Sequence, residues 1–180
     1  WIQPAAGDAG GSVGAALCAY HMYKGQPRRP DGRLDGMNGA YLGPEFAQPE
    51  IEQRLRAAGA RYTVVDDDDV IAEAADALVG QKALGWFQGR MEFGPRALGN
   101  RSILGDPRSP SMQKTLNLRV KYRESFRPFA PAVLREDVSE WFELDSDSPY
   151  MLVVAGVHPA LRRVMTKAEQ ELFGIEKLNV

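Results

Sequence analysis

Ala83-Leu84-Gly85-Trp86-Phe87 is a short apolar run that leads directly into Gln88-Gly89-Arg90-Met91-Glu92-Phe93-Gly94-Pro95-Arg96-Ala97-Leu98-Gly99-Asn100-Arg101, and Ser102-Ile103-Leu104 turns apolar again. The first run reads as a buried strand and the last as a second strand. The Arg- and Gly-rich stretch between them is then a long loop at the carboxyl end of a strand, where ligands collect in open α/β sheets. Arg90, Arg96 and Arg101 each offer a planar fork of donors matched to phosphate or carboxylate. The interleaved Gly89, Gly94 and Gly99 let backbone N–H groups come close to an oxyanion.

Downstream, Asp106-Pro107-Arg108-Ser109-Pro110 marks a turn, and Ser111 to Val120 fits a helix with Met112, Leu116 and Val120 inward. A second basic cluster follows, in which Lys121, Arg123 and Arg127 stand beside Phe126 and Phe129. Two readings of it hold equally: a nucleotide site, with rings covering a base and cations holding phosphates, or a solvated basic helix end. Taken with the Arg/Gly loop, the cluster points to one shared anion site. Ala130 to Leu134 and Tyr150 to Val154 read as strands, Trp141 and Phe142 as packing under a turn, and Lys167 to Leu172 as a helix.

Upstream, Asp66-Asp67-Asp68-Asp69 separates a strand over Arg61 to Val65 from a helix over Val70 to Val79. Acidic residues at that place cap backbone N–H groups and complement the helix dipole, which outweighs a hard-cation reading without EF-hand spacing. Pro49 to Ala58 has helical spacing, with Gly59 at its end, and Ala40 to Gly43 is a short extended piece. Gly25 to Gly39, rich in Pro, Gly and Arg, reads as a linker and a domain boundary. Ala5 to Ser12 reads as a Gly-rich turn capped by Ser12, opening a helix over Val13 to Lys24 in which Cys18, the single cysteine, is a small buried hydrophobe.

With 180 residues and 44% hydrophobic content, the chain can bury one substantial core, and a net charge of −2 gives no bulk attraction to nucleic acid or anionic membrane. No apolar run reaches the roughly 20 residues needed to span a bilayer, and no basic-then-apolar leader opens the sequence; it reads as soluble and cytoplasmic. His21 and His158 lack the neighbours of a zinc site. The start at Trp1 and the stop at Val180 without a terminal signal read as those of a fragment of a longer protein.

Gln3-Pro4-Ala5-Ala6-Gly7-Asp8 with Gly14-Ala15-Ala16, the run from Gly85 to Leu104, and Phe126-Arg127-Pro128-Phe129-Ala130-Pro131 together resemble the O-carbamoyltransferases of the nodulation-factor and antibiotic-tailoring type. The resemblance covers nearly the whole chain, weakest after Ala160. It implies an actin/hexokinase-like domain joined to a YrdC-like α/β domain, an open twisted mixed sheet with flanking helices. Residues 1–25 would then be the tail of the first domain, 26–39 the linker, and 40–180 the carbamoyl phosphate- and ATP-binding domain, incomplete at its C-terminus.

The same resemblance implies a two-step transfer. Carbamoyl phosphate and ATP give carbamoyl adenylate, and the carbamoyl group passes to the hydroxyl of a small-molecule acceptor. Arg96, Arg101 and Ser102 would serve carbamoyl phosphate or the α-phosphate, and Lys121, Arg123 and Arg127 the nucleotide phosphates; Met91 and Phe93 would line the pocket, and Arg90, Gly94 and Asn100 would also bind substrate or nucleotide. Magnesium would accompany ATP. Asp8 matches the position of a carboxylate that helps hold an iron-like divalent metal in the full-length protein. Its histidine partners would lie upstream of Trp1, and the family's later Asn-Thr-Ser-Phe-Asn stretch does not occur here, so the isolated chain is expected to bind ligands weakly. The partners implied are the remaining parts of the same polypeptide, without nucleic acid or membrane. Two other classes stand beside this one: a non-catalytic nucleotide- or phosphate-binding module, and an RNA-linked YrdC-like domain, which the net acidity disfavours.

Overall fold

The computed structural model describes residues 2–30, 32 and 35–179. Trp1, Val180 and three residues of the expected linker, Asp31, Arg33 and Leu34, lie outside the described residues. The class is α/β: helices α1 (Asp8–Cys18), α2 (Gln48–Ala57) and α3 (Asp67–Val79), strands β1 (Leu84–Phe87) and β2 (Arg101–Leu104), then helices α4 (Met112–Thr115), α5 (Val138–Trp141) and α6 (Lys167–Glu171).

The helices form largely where local signals place them. α2 has Pro49 in its first turn and paired Glu50–Arg54 and Glu52–Arg56 one turn apart, and Gly59, at φ +66°, follows it. α3 starts at Asp67 rather than Val70, so the acidic run forms its first turn instead of preceding it. α6 opens on a capping box in which the Thr166 side chain accepts from the Glu169 amide and the Glu169 carboxylate accepts from that of Thr166.

α1 departs from expectation. It begins at Asp8, with Gly10, Gly11 and Gly14 inside it, and Ser12 does not cap it but donates its hydroxyl to the Ala9 carbonyl at 2.7 Å. Gly10 is needed there for space: a Cβ would stand 2.6 Å from the Ala5 carbonyl oxygen and 2.9 Å from the Gln3 side chain. A wider π-type turn over Ala19–Tyr23 continues the helix, and Cys18 is exposed rather than buried, its sulfur 3.3 Å from that of Met22.

The sheet also departs from expectation. Among the described residues it has two strands, β1 and β2, in place of an open mixed sheet. The segments 61–65, 130–134 and 150–154 form no strand, and Val64, Leu134 and Val154 are exposed. Branched and aromatic residues favour a pleated surface only where a partner strand and a covering layer exist, and these segments have neither. Phe142 and Val157 form a single antiparallel bridge.

The chain divides into two compact units. The first takes the described residues of Trp1–Asp67, Gly85–Ile103 and Ser148–Val153; the second takes those of Asp68–Leu84, Leu104–Asp147 and Val154–Val180. The linker expected over 26–39 lies inside the first unit, where the Tyr150 hydroxyl accepts from the Gly39 amide at 3.2 Å and donates to Asp35. Instead of one substantial core, each unit buries a few apolar side chains around polar ones. Ala5 and Ala40 lie with Glu92 and Asn100 in the first, and Met112 and Leu116 with Asn117, Asp106 and Ser109 in the second. Val120 does not join Leu116 in that core, because the turn over Leu116–Val120 is π-type and four-residue spacing no longer returns to one face. No helix among the described residues is long and apolar enough to cross a membrane.

Candidate functional site

The loop between β1 and β2 is built inside the first unit, and its neck is closed by charged side chains acting on backbone. The Gln88 amide donates to the Asn100 carbonyl at 3.0 Å, carrying the strand pairing past its end. The Arg101 guanidinium then turns back over this neck. It donates to the carbonyls of Gln88 at 2.5 Å, Asn100 at 2.9 Å and Gly89 at 3.1 Å, and lies 3.5 Å from the centre of the Phe87 ring. Arg101 was expected to fork onto an anion. Its fork is committed instead to three carbonyls and an aromatic face, because the two strand ends bring those groups within its reach.

The backbone N–H groups of the loop are committed as well. Glu92 is 5% exposed, and its Oε1 accepts from the amides of Leu98 at 2.8 Å, Asn100 at 2.7 Å and Arg101 at 3.2 Å. Three amides converge as expected for an oxyanion, but the anion they hold is a side chain of the same loop. Burial pushes the Glu92 carboxyl up, yet the amides of Leu98, Asn100, Glu92 itself and Arg101 outweigh it, and the net shift is downward. A carboxyl held lower in the folded state than in the unfolded one stabilises the fold above its ordinary value of 4.5, and that contribution fades as pH falls through the folded value. Glu92→Gln is therefore expected to flatten the acid limb of a stability-against-pH profile measured by urea unfolding between neutral and strongly acidic pH. A variant as acid-sensitive as the wild type would show that Glu92 does not set that limb.

The remaining expected residues on the loop divide into wall and tip. Asn100 donates its side-chain amide to the Arg90 carbonyl at 2.7 Å, and Ser102 accepts the Gly99 amide at 3.0 Å, leaving its own O–H free to donate. Arg90 reaches the Gly43 carbonyl at 3.1 Å and the Glu45 carboxylate at 3.5 Å. Met91 exchanges backbone bonds with Gly43 and Pro44, and the Phe93 amide donates to Ala40 at 2.6 Å. Gly94, at φ +112°, packs where a Cβ would lie 2.7 Å from that of Ala5, so no other residue fits without displacing the N-terminal segment. Arg96 is exposed at the tip and makes no hydrogen bond or ion pair among the described residues. The open hollow beside the loop, of about 450 Å³, is lined by Glu45, Phe46, Ala47 and Arg90, not by the three arginines together.

The second basic cluster belongs to the second unit and is organised by Asn117, whose side chain is fully buried. Its Nδ2 donates to the carbonyls of Ser125 at 3.1 Å and Arg127 at 2.8 Å, and its Oδ1 accepts from the Arg123 Nε at 2.6 Å. The Arg123 guanidinium lies 4.9 Å from the centre of the Phe129 ring. Arg127 pairs with Glu124 at 2.7 Å, and Lys121 is exposed and makes no ion pair among the described residues. Glu124 is held below its ordinary range by its own amide and by Arg127. Asp8 stands exposed on the first turn of α1. Among the described residues no group of three His, Cys, Asp or Glu side chains gathers to hold a metal, so this single carboxylate does not by itself fit one.

Glu92 and Asn117 organise the two loops, and neither stood out in the sequence. The one available signal for Glu92 was its position as the lone carboxylate in a run with three arginines.

Residues 75–170 match the family described as Carbamoyltransferase C-terminus, a span that contains both loops in full. The chain belongs to the carbamoyltransferase family. A Bradyrhizobium diazoefficiens relative, nodulation protein NolO, is 43% identical over 92% of this chain. The 3'-hydroxymethylcephem-O-carbamoyltransferase of Streptomyces clavuligerus is 36% identical over 84% of it, and an uncharacterized protein of Synechocystis is 57% identical over all of it. The chain spans 30%, 26% and 29% of the lengths of these three relatives, respectively.

Proposed function

We propose that this chain is the donor-activating part of an O-carbamoyltransferase that uses carbamoyl phosphate and ATP and delivers the carbamoyl group to a small-molecule hydroxyl. In balanced form, water takes the phosphoryl group of carbamoyl phosphate, leaving carbamate and phosphate. A carbamate oxygen attacks the α-phosphorus of ATP and expels pyrophosphate, and the acceptor hydroxyl then attacks the carbamoyl carbon and releases AMP. Both donors, carbamoyl phosphate and ATP, are polyanionic, and charge builds on the transferring oxygens, so fixed cations and donors lower the barrier.

The observation that carries this reading is the exposed guanidinium of Arg96, without a hydrogen bond or ion pair among the described residues, on a loop whose other two arginines, Arg90 and Arg101, are already bonded to carbonyls. Arg96 supplies the fork for the carbamoyl phosphate oxyanions, and Ser102 supplies a hydroxyl donor. Met91 and Phe93 line the approach. In the other unit, Lys121, Arg123 and Arg127 hold nucleotide phosphates. The YrdC-like form of the domain, and the assignment of residues 1–25 to a neighbouring domain, are part of the same proposal.

The test is isotope exchange between pyrophosphate and ATP in the whole protein. Exchange is expected only when carbamoyl phosphate is present. Nucleotide binding without exchange under any condition would leave a non-catalytic phosphate-binding module.

A further inference from the structure

We propose that Glu92 is the positioning residue of the carbamoyl phosphate site: nested in the amides of Leu98, Asn100 and Arg101, its carboxylate fixes the loop that presents Arg96. The inference rests on the reading of Arg96 as a ligand of carbamoyl phosphate.

Glu92 precedes the tip and the amides it binds follow it, so a single oxygen pins both arms of the loop. Two further bonds anchor the same arms to one wall: the Phe93 amide donates to the Ala40 carbonyl, and the Tyr41 hydroxyl donates to the Leu98 carbonyl at 2.9 Å. Among the described residues, the apex Pro95-Arg96-Ala97 makes no hydrogen bond. Proline at the first of these places restricts the backbone further. Arg96 thus stands on a short apex over a doubly anchored base, and fixing that base limits the positions from which its side chain can reach a ligand.

The charge of Glu92 is also directed away from the arginines. Among the described residues its partners are backbone amides and no guanidinium pairs with it, whereas Arg90 is paired with Glu45 and Arg127 with Glu124. A carboxylate placed elsewhere on this loop would pair with Arg96 and block an incoming anion. Turned inward and satisfied by amides, it shapes the loop and leaves Arg96 free. The amides also keep the carboxyl ionised at neutral pH, which suits an anchor and not a proton shuttle.

The experiment is calorimetric titration of the whole protein with carbamoyl phosphate, for wild type, Glu92→Gln, Glu92→Ala and Arg96→Ala, each first shown to retain the wild-type circular dichroism. Glu92→Ala is expected to weaken binding about 10- to 100-fold, the scale on which small misplacements of a binding group act. Glu92→Gln, which keeps an accepting oxygen, should lose less. Millimolar formate should then restore binding to Glu92→Ala by occupying the vacated amide nest, and should do nothing for Arg96→Ala. Wild-type affinity in Glu92→Ala, or the absence of recovery with formate, overturns the proposal. If the wild type itself does not bind carbamoyl phosphate, the reading of Arg96 fails separately. The amide proton resonances of Leu98, Asn100 and Arg101 then decide the role of Glu92. Movement of all three in Glu92→Ala with return on adding formate supports it, and unchanged resonances overturn it. Where Glu92→Ala does not fold, the same resonances are compared between the wild type and Glu92→Gln.

Discussion

Arg96→Ala is expected to lower carbamoyl-phosphate-dependent exchange of the whole protein by about 10²- to 10³-fold, the usual cost of losing one donor aimed at a developing oxyanion. The melting temperature should not move. Both halves follow from the position of the side chain, which is exposed and makes no hydrogen bond, ion pair or ring contact with another described residue. Arg96→Lys should recover only part of the loss, since an ammonium supplies charge without the planar fork. A loss confined to KM for carbamoyl phosphate would mean that Arg96 binds ground state and transition state alike. Exchange at the wild-type rate in Arg96→Ala would remove Arg96 from the site.

Arg101 provides the contrast that makes this result interpretable. Its guanidinium joins three carbonyls at the loop neck and covers the Phe87 ring, so Arg101→Ala exposes acceptors that no other side chain reaches. The order of magnitude is about 1–3 kcal/mol of stability for a charged hydrogen-bonding group of this kind. Two arginines five residues apart, alike in sequence, thus predict opposite phenotypes: lost chemistry with an intact fold at one, lost stability at the other.

That contrast also marks how far the sequence is legible. The loop itself is written in its composition, because interleaved Arg and Gly after an apolar run admit few other meanings, and the structure places those residues between β1 and β2. Which arginine is free is not written there. It depends on Phe87 and on three carbonyls that approach only when the strands pair. Glycine was read in the same way as a licence for N–H groups to meet a ligand. The amides did converge, but Glu92 was near enough to fill the place. Helices bounded by local signals, such as Pro49 and Gly59 around α2, were legible to within a residue or two. The strands expected over 61–65, 130–134 and 150–154 were not, since an extended segment becomes a strand only by acquiring a partner that local sequence does not name. At Ser111 to Val120 the periodicity found Met112 and Leu116, but it could not foresee the widened turn that leaves Val120 outside.

Asn117→Leu is expected to have the largest effect on stability of any single change in the second basic loop, about 3–5 kcal/mol by the scale for broken buried hydrogen-bond networks. The substitution keeps the branched shape of the side chain and does not shrink it, so no cavity complicates the reading. It removes the donors to the Ser125 and Arg127 carbonyls and the acceptor of the Arg123 Nε in one step. Because Asn117 is fully buried, water cannot replace those bonds at its position. The carbonyls it holds belong to the segment that carries Arg123 and Arg127, and Arg123 also loses the contact that sets it against Phe129. The loop should therefore loosen before the rest of the unit unfolds. Urea unfolding gives the stability change. In variants still folded at working temperature, exchange kinetics should show KM rising for ATP while that for carbamoyl phosphate stays near the wild-type value. A stability loss below about 0.5 kcal/mol, the range of ordinary surface substitutions, would mean that Asn117 does not organise this loop. An equal rise in both KM values would mean that its disturbance is not confined to the nucleotide side.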